Sequence, residues 1–473
     1  MGKPWRDRLY AGAAPIFGNW LPHTSWGTGA ALVIALAVIG YGPIAARRLP
    51  WRRLLVVSWL TAMAWAFALA MVDGWQRGFA GRLTTRDEYL HEVGGVHDIG
   101  AMLRGFSGHI LDFQPDSWTT HVSGHPPGAL LVFVLLDRIG LSGGTWAGLL
   151  CLLVGSSMAA AVPVTLRALG SEERARAAMP FLVLAPAAIW IAVSADALFA
   201  GVTAWAVALL AIATRQRGGW VAVALASGLL FGFGLFLSYG LILMAIPAMA
   251  ILVARSFRPA VPVAIGVLLV VVAFAAAGFW WLDGYHLVVQ RYYQGIASER
   301  PYSYWVWGNL AATICVIGLA SAAAMHRVIS GLHIAALWAR RDRSRATSVP
   351  AARAYSRGAS LIAQRETSIA RASNAVPAQR LVGVLSPKRV REALNAWRAV
   401  VDPAALLAVA GILTVLAADL SGLSKAETER IWLPFDVWIL AGTALLPRRD
   451  VRVWLAVQAA GTLLISHLIL TNW

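Results

Sequence analysis

Charge is scarce in this chain. Of its 473 residues only 13% are Asp, Glu, Lys or Arg, about half the ~25% of a soluble domain, which excludes an ordinary water-soluble globule. Acids are the scarcer sign, 23 against 40 Lys and Arg. Cysteine is nearly absent. Cys151 and Cys315 both lie inside apolar runs, which excludes a disulfide framework and a thiolate zinc site. No cleavable N-terminal signal pattern stands out, so the apolar segments themselves would direct insertion. No internal repeat supports an inverted-repeat transporter.

What is present is apolar length. The chain is 59% hydrophobic with a mean hydropathy of +0.65, and many runs approach the ~20 residues that cross a bilayer as a helix. The expected fold class is an all-α polytopic membrane protein. About twelve transmembrane helices are expected, at 27–47, 52–72, 143–168, 176–194, 197–214, 219–237, 240–254, 261–281, 305–325, 403–420, 431–447 and 451–470. Arginines mark one set of ends: Arg47, Arg48, Arg52, Arg53, Arg167, Arg176, Arg215, Arg255, Arg258, Arg448 and Arg449. The positive-inside rule makes that side cytoplasmic. The opposite ends, with Asp73, Asp196, Asp283, Asp419, Glu427 and Glu429, are then extracytoplasmic, and so is the N-terminus. The expected organisation is a membrane module over 1–325 with outer loops 73–142 and 283–304, a basic cytoplasmic loop over 326–402, and C-terminal helices over 403–473. Between 326 and 400, fourteen Lys and Arg face only Asp342, Glu366 and Glu392. In a membrane protein such a loop is expected to contact anionic lipid, not nucleic acid. Its Thr347–Pro387 part reads as mobile or loosely helical.

The first outer loop is the place to look for chemistry. Five of the ten histidines fall in it: His91, His97, His109, His121 and His125. Two short helices are expected to lie at the membrane surface, Ile99–Phe113 from its helical apolar spacing and Pro126–Leu141. If Thr85 caps a helix, Asp87 and His91 share one face and Glu88 and Glu92 another. Asp87 could then accept a proton from an attacking hydroxyl, or bind a divalent cation beside His91. A plain solvated helix start would look the same. Only His91 and His125 lie beside residues that such chemistry needs. His125 precedes Pro126-Pro127-Gly128, whose prolines would start a helix just beyond it. Asp196 either caps the following helix or works at the membrane boundary. In the later outer loop, Arg291 and Arg300 could hold a phosphate and Tyr292, Tyr293, Tyr302 and Tyr304 could stack on a sugar. An aromatic interface belt reads equally well there. Glu427 and Arg430 could pair with each other, or Arg430 could face an anion. Asp436 should face protein, and His286 and His467 are read as structural.

Taken in order, these motifs resemble the GT-C superfamily of membrane glycosyltransferases, in particular the protein-O-mannosyltransferase-like branch and its actinobacterial members. The resemblance runs over roughly 50–310 and 420–440. It rests on Asp87-Glu88, His125-Pro126-Pro127, the outer Asp196, Arg291-Tyr292-Tyr293 and the Glu427-to-Trp432 stretch. It implies a GT-C-like bundle and an enzyme at the outer face of a bacterial plasma membrane. That enzyme would move a sugar, mannose first and arabinofuranose second, from a polyprenyl-phosphate donor. The acceptor would be a hydroxyl of an envelope glycan, glycolipid or protein, and the transfer would invert the anomeric centre. By the same resemblance Asp87 is the general base. Glu88 works beside it, with His125 and Asp196 around the sugar and acceptor and Arg291 on the phosphate. Departures are Ala195 before Asp196, Gly128 after the two prolines, and the lack of a following sugar-binding domain, and these put the acceptor in doubt. A transporter or flippase is the competing class. It would need ionisable groups at mid-bilayer, whereas the acids here gather at the outer ends.

Overall fold

The computed structural model describes residues 8–358, 395 and 397–472, apart from the side chains of 332–358. The chain divides into one unit of Met1–Val328 with Pro403–Trp473 and a second of Ile329–Asp402.

Strand β1 (Gly18–Trp20) leads into α1 (Trp26–Arg48), whose start is fixed by a capping box between Ser25 and Thr28. Its end carries Arg47 and Arg48, where the helix dipole favours cations. α2 (Trp51–Ala70) returns. Four short helices follow: α3 (Leu90–Val93), α4 (Ile99–Gly105), α5 (Thr120–Ser123) and α6 (Pro127–Arg138). Then come α7 (Gly144–Ser156), α8 (Met158–Ala168), α9 (Glu172–Val183), α10 (Ala188–Ile191), α11 (Ala195–Arg215), α12 (Trp220–Leu237) and α13 (Ala245–Ala254). α14 (Ala260–Ala276) and α15 (Trp281–Gln294) meet at a 76° bend. α16 (Tyr302–Gly358) contains a break at Gly318, where φ is 76°. α17 (Pro403–Leu420), α18 (Thr428–Ile431), α19 (Leu433–Ile439), α20 (Val451–Leu468) and strand β2 (Ile469–Thr471) complete the order.

Among the described residues, eight helices are long and apolar enough to cross a membrane, or nine if the bent pair is one span. This is an all-α multi-pass membrane protein. Its lipid-facing surface is built from Leu32, Val33, Leu36, Val57, Leu60, Val261, Leu268, Val272 and Leu464, all exposed. Such a display suits hydrocarbon and not water.

The count of about twelve continuous helices needs correction. The expected spans 176–194, 240–254 and 431–447 are short or broken segments: α9 with α10, a 3-10 turn Tyr239–Met244 with α13, and α19 with a 3-10 turn Leu440–Leu445. The chain still passes from end to end through the first and the last of these. Arg174 donates to the Ala444 carbonyl (3.0 Å) and Arg176 to that of Ala46 (2.8 Å) at one face, whereas Arg430 meets Asp196 at the other. Helix-breaking residues are tolerated at depth because these pieces are buried in protein. The apolar helix expected over 261–281 stops at Ala276, and the loop expected at 283–304 is largely helix α15. The helix expected over 305–325 runs on to Gly358. The lipid contact expected of 326–400 and most of the Thr347–Pro387 segment lie outside the described residues.

Two faces result. One gathers the arginine-rich turns: Arg215 donates to the Arg167 carbonyl (3.0 Å) and Arg448 pairs with Glu173 (2.8 Å). The other holds the 71–143 segment, the start of α11, α15 and residues 421–432. The segment before α1 joins this second face, because β1 pairs antiparallel with β2, Gly18 opposite Thr471. Arg77 donates to the Thr471 carbonyl (2.9 Å), and His23 and Arg77 both hold Asp73, at 2.7 and 2.6 Å.

The short helices of the second face pack as a platform. α4 starts at Asp98, whose carboxylate accepts from Ala101 N (3.0 Å), and the helical stretch ends by His109, short of the expected Phe113. Phe113 has φ 67° and is 81% exposed, so the expected apolar face stops at Ile110. Phe106 packs edge-on against Phe279 at the bend between α14 and α15. α6 begins after Pro126 as expected and lies on α12. A Cβ at Gly128 would sit 2.5 Å from the Phe236 carbonyl oxygen, so only glycine permits this approach. Gly128→Ala is expected to cost on the order of 1–3 kcal/mol, read as a fall in the melting temperature in detergent. An unchanged melting temperature would mean that α6 lifts freely from α12.

Candidate functional site

The site assembles around Arg430, which α18 presents at the face opposite the arginine-rich turns. Its Nη1 donates to Asp196 Oδ2 at 2.5 Å, and its Nη2 donates to Glu427 Oε2 at 2.8 Å and to His121 Nε2 at 3.2 Å. Because that imidazole nitrogen accepts, Nδ1 carries the ring proton, and it lies 2.9 Å from Glu88 Oε1. Glu88, Asp196 and Arg430 are almost wholly buried. A buried charge persists only when paired and hydrogen-bonded, and here one guanidinium pairs with the distant Asp196 and the neighbouring Glu427 and reaches Glu88 through His121.

Local backbone explains each placement. Asp196 occupies the first turn of α11, but Ser194 is the N-cap residue, so the capping reading of Asp196 gives way to the ion pair. Ala426 and Glu427 both adopt left-handed φ, 74° and 62°. Such residues cost energy and persist where their surroundings hold them. Here Glu427 lies between Arg430 and Arg300, the latter 3.8 Å away. Arg300 Nη1 also donates to the Lys425 carbonyl (2.7 Å), and Lys425 Nζ donates to that of Ala297 (2.9 Å) and lies 5.6 Å from the Tyr293 ring centroid.

Electrostatics follow from this packing. Burial pushes the Glu88 carboxyl up, but His121 and Arg430 outweigh it and hold it below the ordinary carboxylate range. Glu427 behaves alike: burial raises it, and Arg430 and Arg300 bring it below its ordinary value. Burial raises the Tyr89 hydroxyl well above its ordinary value and lowers His125.

Glu429 differs. Its Oε1 accepts the Phe17 N–H (2.8 Å), its Oε2 has no hydrogen-bond partner, and burial raises the carboxyl to about 7. The folded state therefore holds this proton between the unfolded carboxyl value, about 4.3, and about 7. Over that window stability falls as pH rises. Glu429→Gln is expected to match wild type near pH 4.5 and to exceed it by about 3 kcal/mol at pH 8, measured by melting at both pH values. Parallel melting curves across that range would contradict a carboxyl raised this far.

Asp87 stands apart from its neighbour. It is exposed, and its Oδ1 accepts from Thr120 Oγ1 at 3.1 Å while its carbonyl accepts the His121 N–H at 3.0 Å. The expected helix capped by Thr85 does not form. Residues 85–89 turn, α3 starts only at Leu90, and the Thr85 hydroxyl points back to the Arg82 carbonyl. Glu92 receives the Thr119 N–H (2.9 Å) and His91 is exposed.

The structure thus brings together Glu88, Asp196, Glu427 and Arg430, with Asp87 on their edge. His125 sits behind them. Its Nδ1 is 2.9 Å from the Tyr89 hydroxyl and 2.8 Å from the His121 carbonyl, and its ring packs on Phe199. Arg291 is not in this cluster. It pairs with Asp112 at 2.5 Å, and its guanidinium holds that carboxyl below the usual range. Tyr292 is largely buried, and Tyr293 is half exposed beside Lys425. The narrowing to His91 and His125 missed His121, the histidine that joins Glu88 to Arg430. Its signal was available, since it precedes His125 by one helical turn. Asp436 faces protein, as expected, and neither carboxylate oxygen has a hydrogen-bond partner. Among the described residues no three His, Cys, Asp or Glu side chains converge to hold a metal ion, so Asp87 and His91 do not by themselves form the cation site considered from the sequence.

No protein-family model matches this chain, and no curated protein does. Among solved structures, the chain is similar to the oligosaccharyltransferase of Archaeoglobus fulgidus, crystallised with zinc and sulfate. The two are 14% identical over 81% of this chain and 52% of that one, with a TM-score of 0.39. The chain thus spans about half the length of that protein, and a likeness of this size carries no inference about activity.

Proposed function

We propose that this protein is a GT-C-type, inverting glycosyltransferase working at the extracytoplasmic face of a bacterial plasma membrane. It takes a sugar, mannose first and arabinofuranose second, from a polyprenyl-phosphate donor to a hydroxyl of an envelope glycan, glycolipid or protein. The observation that carries this reading is the contrast between adjacent carboxylates. Glu88 is buried and locked to His121, whereas Asp87 is exposed and held by one hydroxyl. Asp87 is therefore the carboxylate free to meet a substrate, on a platform that Arg430 ties together.

In the proposed step the acceptor oxygen attacks the anomeric carbon from the side opposite the phosphate. Asp87 takes the hydroxyl proton as general base. The bond from the anomeric carbon to the phosphate oxygen breaks, and its electron pair leaves with polyprenyl phosphate, a weak enough base to need no strong acid. Arg291 is the proposed phosphate partner, exchanging Asp112 for the donor and stabilising charge as it develops. Glu88 supports Asp87 by fixing His121. His125, Asp196, Glu427 and Arg430 shape the floor, and Tyr292 and Tyr293 flank the sugar.

The test is incubation of purified protein with labelled polyprenyl-phosphate sugars and envelope acceptors. Transfer from one of them, with release of polyprenyl phosphate, is the expected result. Failure to bind or consume any polyprenyl sugar would overturn the reading. Labelling of a cysteine at position 87 from the cytoplasmic side alone would overturn the orientation.

A further inference from the structure

The face opposite Asp87 holds a groove of about 450 Å³, within the ~300–1,000 Å³ range of small-ligand sites. Its wall is Val164, Ala168 and Ile212, from the ends of α8 and α11. Trp51, at the start of α2, forms one side, and Arg167, Arg215 and Gln216 stand at its rim. The rim is built and not merely adjacent. The Arg167 guanidinium lies 4.6 Å from the Trp51 ring centroid, its Nε pairs with Glu172 at 2.8 Å, and Arg215 Nη1 donates to the Arg167 carbonyl at 3.0 Å.

The charge around the groove is one-sided. Arg52 and Arg53 follow Trp51 in the first turn of α2, Arg255 lies beside Gly170, and Arg258 lies 4.0 Å from the Trp220 ring centroid. Among the described residues, Glu172 is shared by Arg167 and Arg176, Glu173 is paired with Arg448 and Asp450 with Arg449. An occupant must therefore offer an anion to the rim and hydrocarbon to the wall. Free phosphate has no use for Val164, Ala168 and Ile212. A zwitterionic lipid brings its own cation against two guanidiniums.

We propose that this groove seats the phosphate-bearing headgroup of an anionic phospholipid from the leaflet on that side. Arg167 and Arg215 hold the phosphate, Gln216 offers an amide to the headgroup, and the first methylenes run along Val164, Ala168 and Ile212. This assignment is independent of the glycosyl-transfer reading, because it uses none of the residues on the Asp87 face.

The experiment places the full-length protein in phosphatidylcholine nanodiscs containing a minority of phosphatidylglycerol and counts retained lipid by native mass spectrometry after detergent extraction. Wild type is expected to retain phosphatidylglycerol over phosphatidylcholine. Near-surface attraction predicts a loss of about fivefold in retention for Arg215→Gln and about twenty-five-fold for Arg167→Gln with Arg215→Gln. Ile212→Trp, which fills the wall and keeps both charges, is expected to lose retention too. Arg52→Gln with Arg53→Gln, outside the groove, keeps both rim arginines and is expected to lower retention less than the rim double variant does. Circular dichroism of each variant separates loss of the site from loss of fold, and Arg215→Gln, at an exposed residue, stays informative should changes at Arg167 unfold the protein. Equal retention of the two lipids, unchanged retention in the arginine variants, or full displacement by glycerol phosphate would each overturn the proposal.

Discussion

Asp87→Asn is expected to lower glycosyl transfer by about 10²- to 10⁴-fold, the usual worth of a positioned general base, with no change in melting temperature. Asparagine keeps the shape and can still accept from the Thr120 hydroxyl, but it cannot take a proton at neutral pH. Because Asp87 is exposed and joins the fold through one side-chain bond, its charge is dispensable for folding, and the loss should fall in kcat and not in KM. Thr120→Val removes only the orienting hydroxyl and is expected to cost less, about 10- to 100-fold. Radiolabelled sugar transfer under single-turnover conditions distinguishes these variants. Equal rates for wild type and Asp87→Asn would remove Asp87 from the chemistry.

Arg430→Met is expected to damage the fold itself. The change strands Asp196, leaves Glu427 with Arg300 alone at 3.8 Å and removes the donor to His121. Breaking a buried pair from one side costs about 3–5 kcal/mol, seen as a large fall in melting temperature. Arg430→Lys should recover only part of this, since one ammonium cannot reproduce the forked reach to Asp196, Glu427 and His121. Asp196→Asn alone leaves Arg430 paired with Glu427 and should cost less. Combining it with Arg430→Met should be less damaging than the sum, with a coupling of about 0.5–3 kcal/mol. Additive losses would mean that the two side chains do not depend on each other.

The contrast between these two variants matches what could be read in advance. Apolar length marks where the chain crosses, because hydrocarbon demands it whatever the backbone does. It does not mark where a crossing breaks. Pro180 and Pro186 in 172–191, Gly240 and Pro247 in 239–254, and Pro434 in 433–445 all lie in runs that read as continuous by composition. Asp87, Glu88 and Asp196 were legible as acids at one set of ends. The partner of Asp196 was not, since Arg430 lies 234 positions away and only packing joins them. The same limit hid His121, whose role depends on a guanidinium from α18, and it hid the Arg291–Asp112 pair. The segment 283–304 read as a loop because its aromatic and polar residues obscure the amphipathic spacing of α15.

The β1–β2 clasp also has a consequence for biosynthesis. The strand that receives β1 follows α20, so the pairing of Gly18 with Thr471 can form only after α1 to α20 have been synthesised. Until then Arg77 lacks the Thr471 carbonyl to which it donates. The clasp is thus deferred until residue 471 has been made, and an insertion intermediate arrested earlier would leave β1 and Arg77 open to whatever holds nascent membrane proteins.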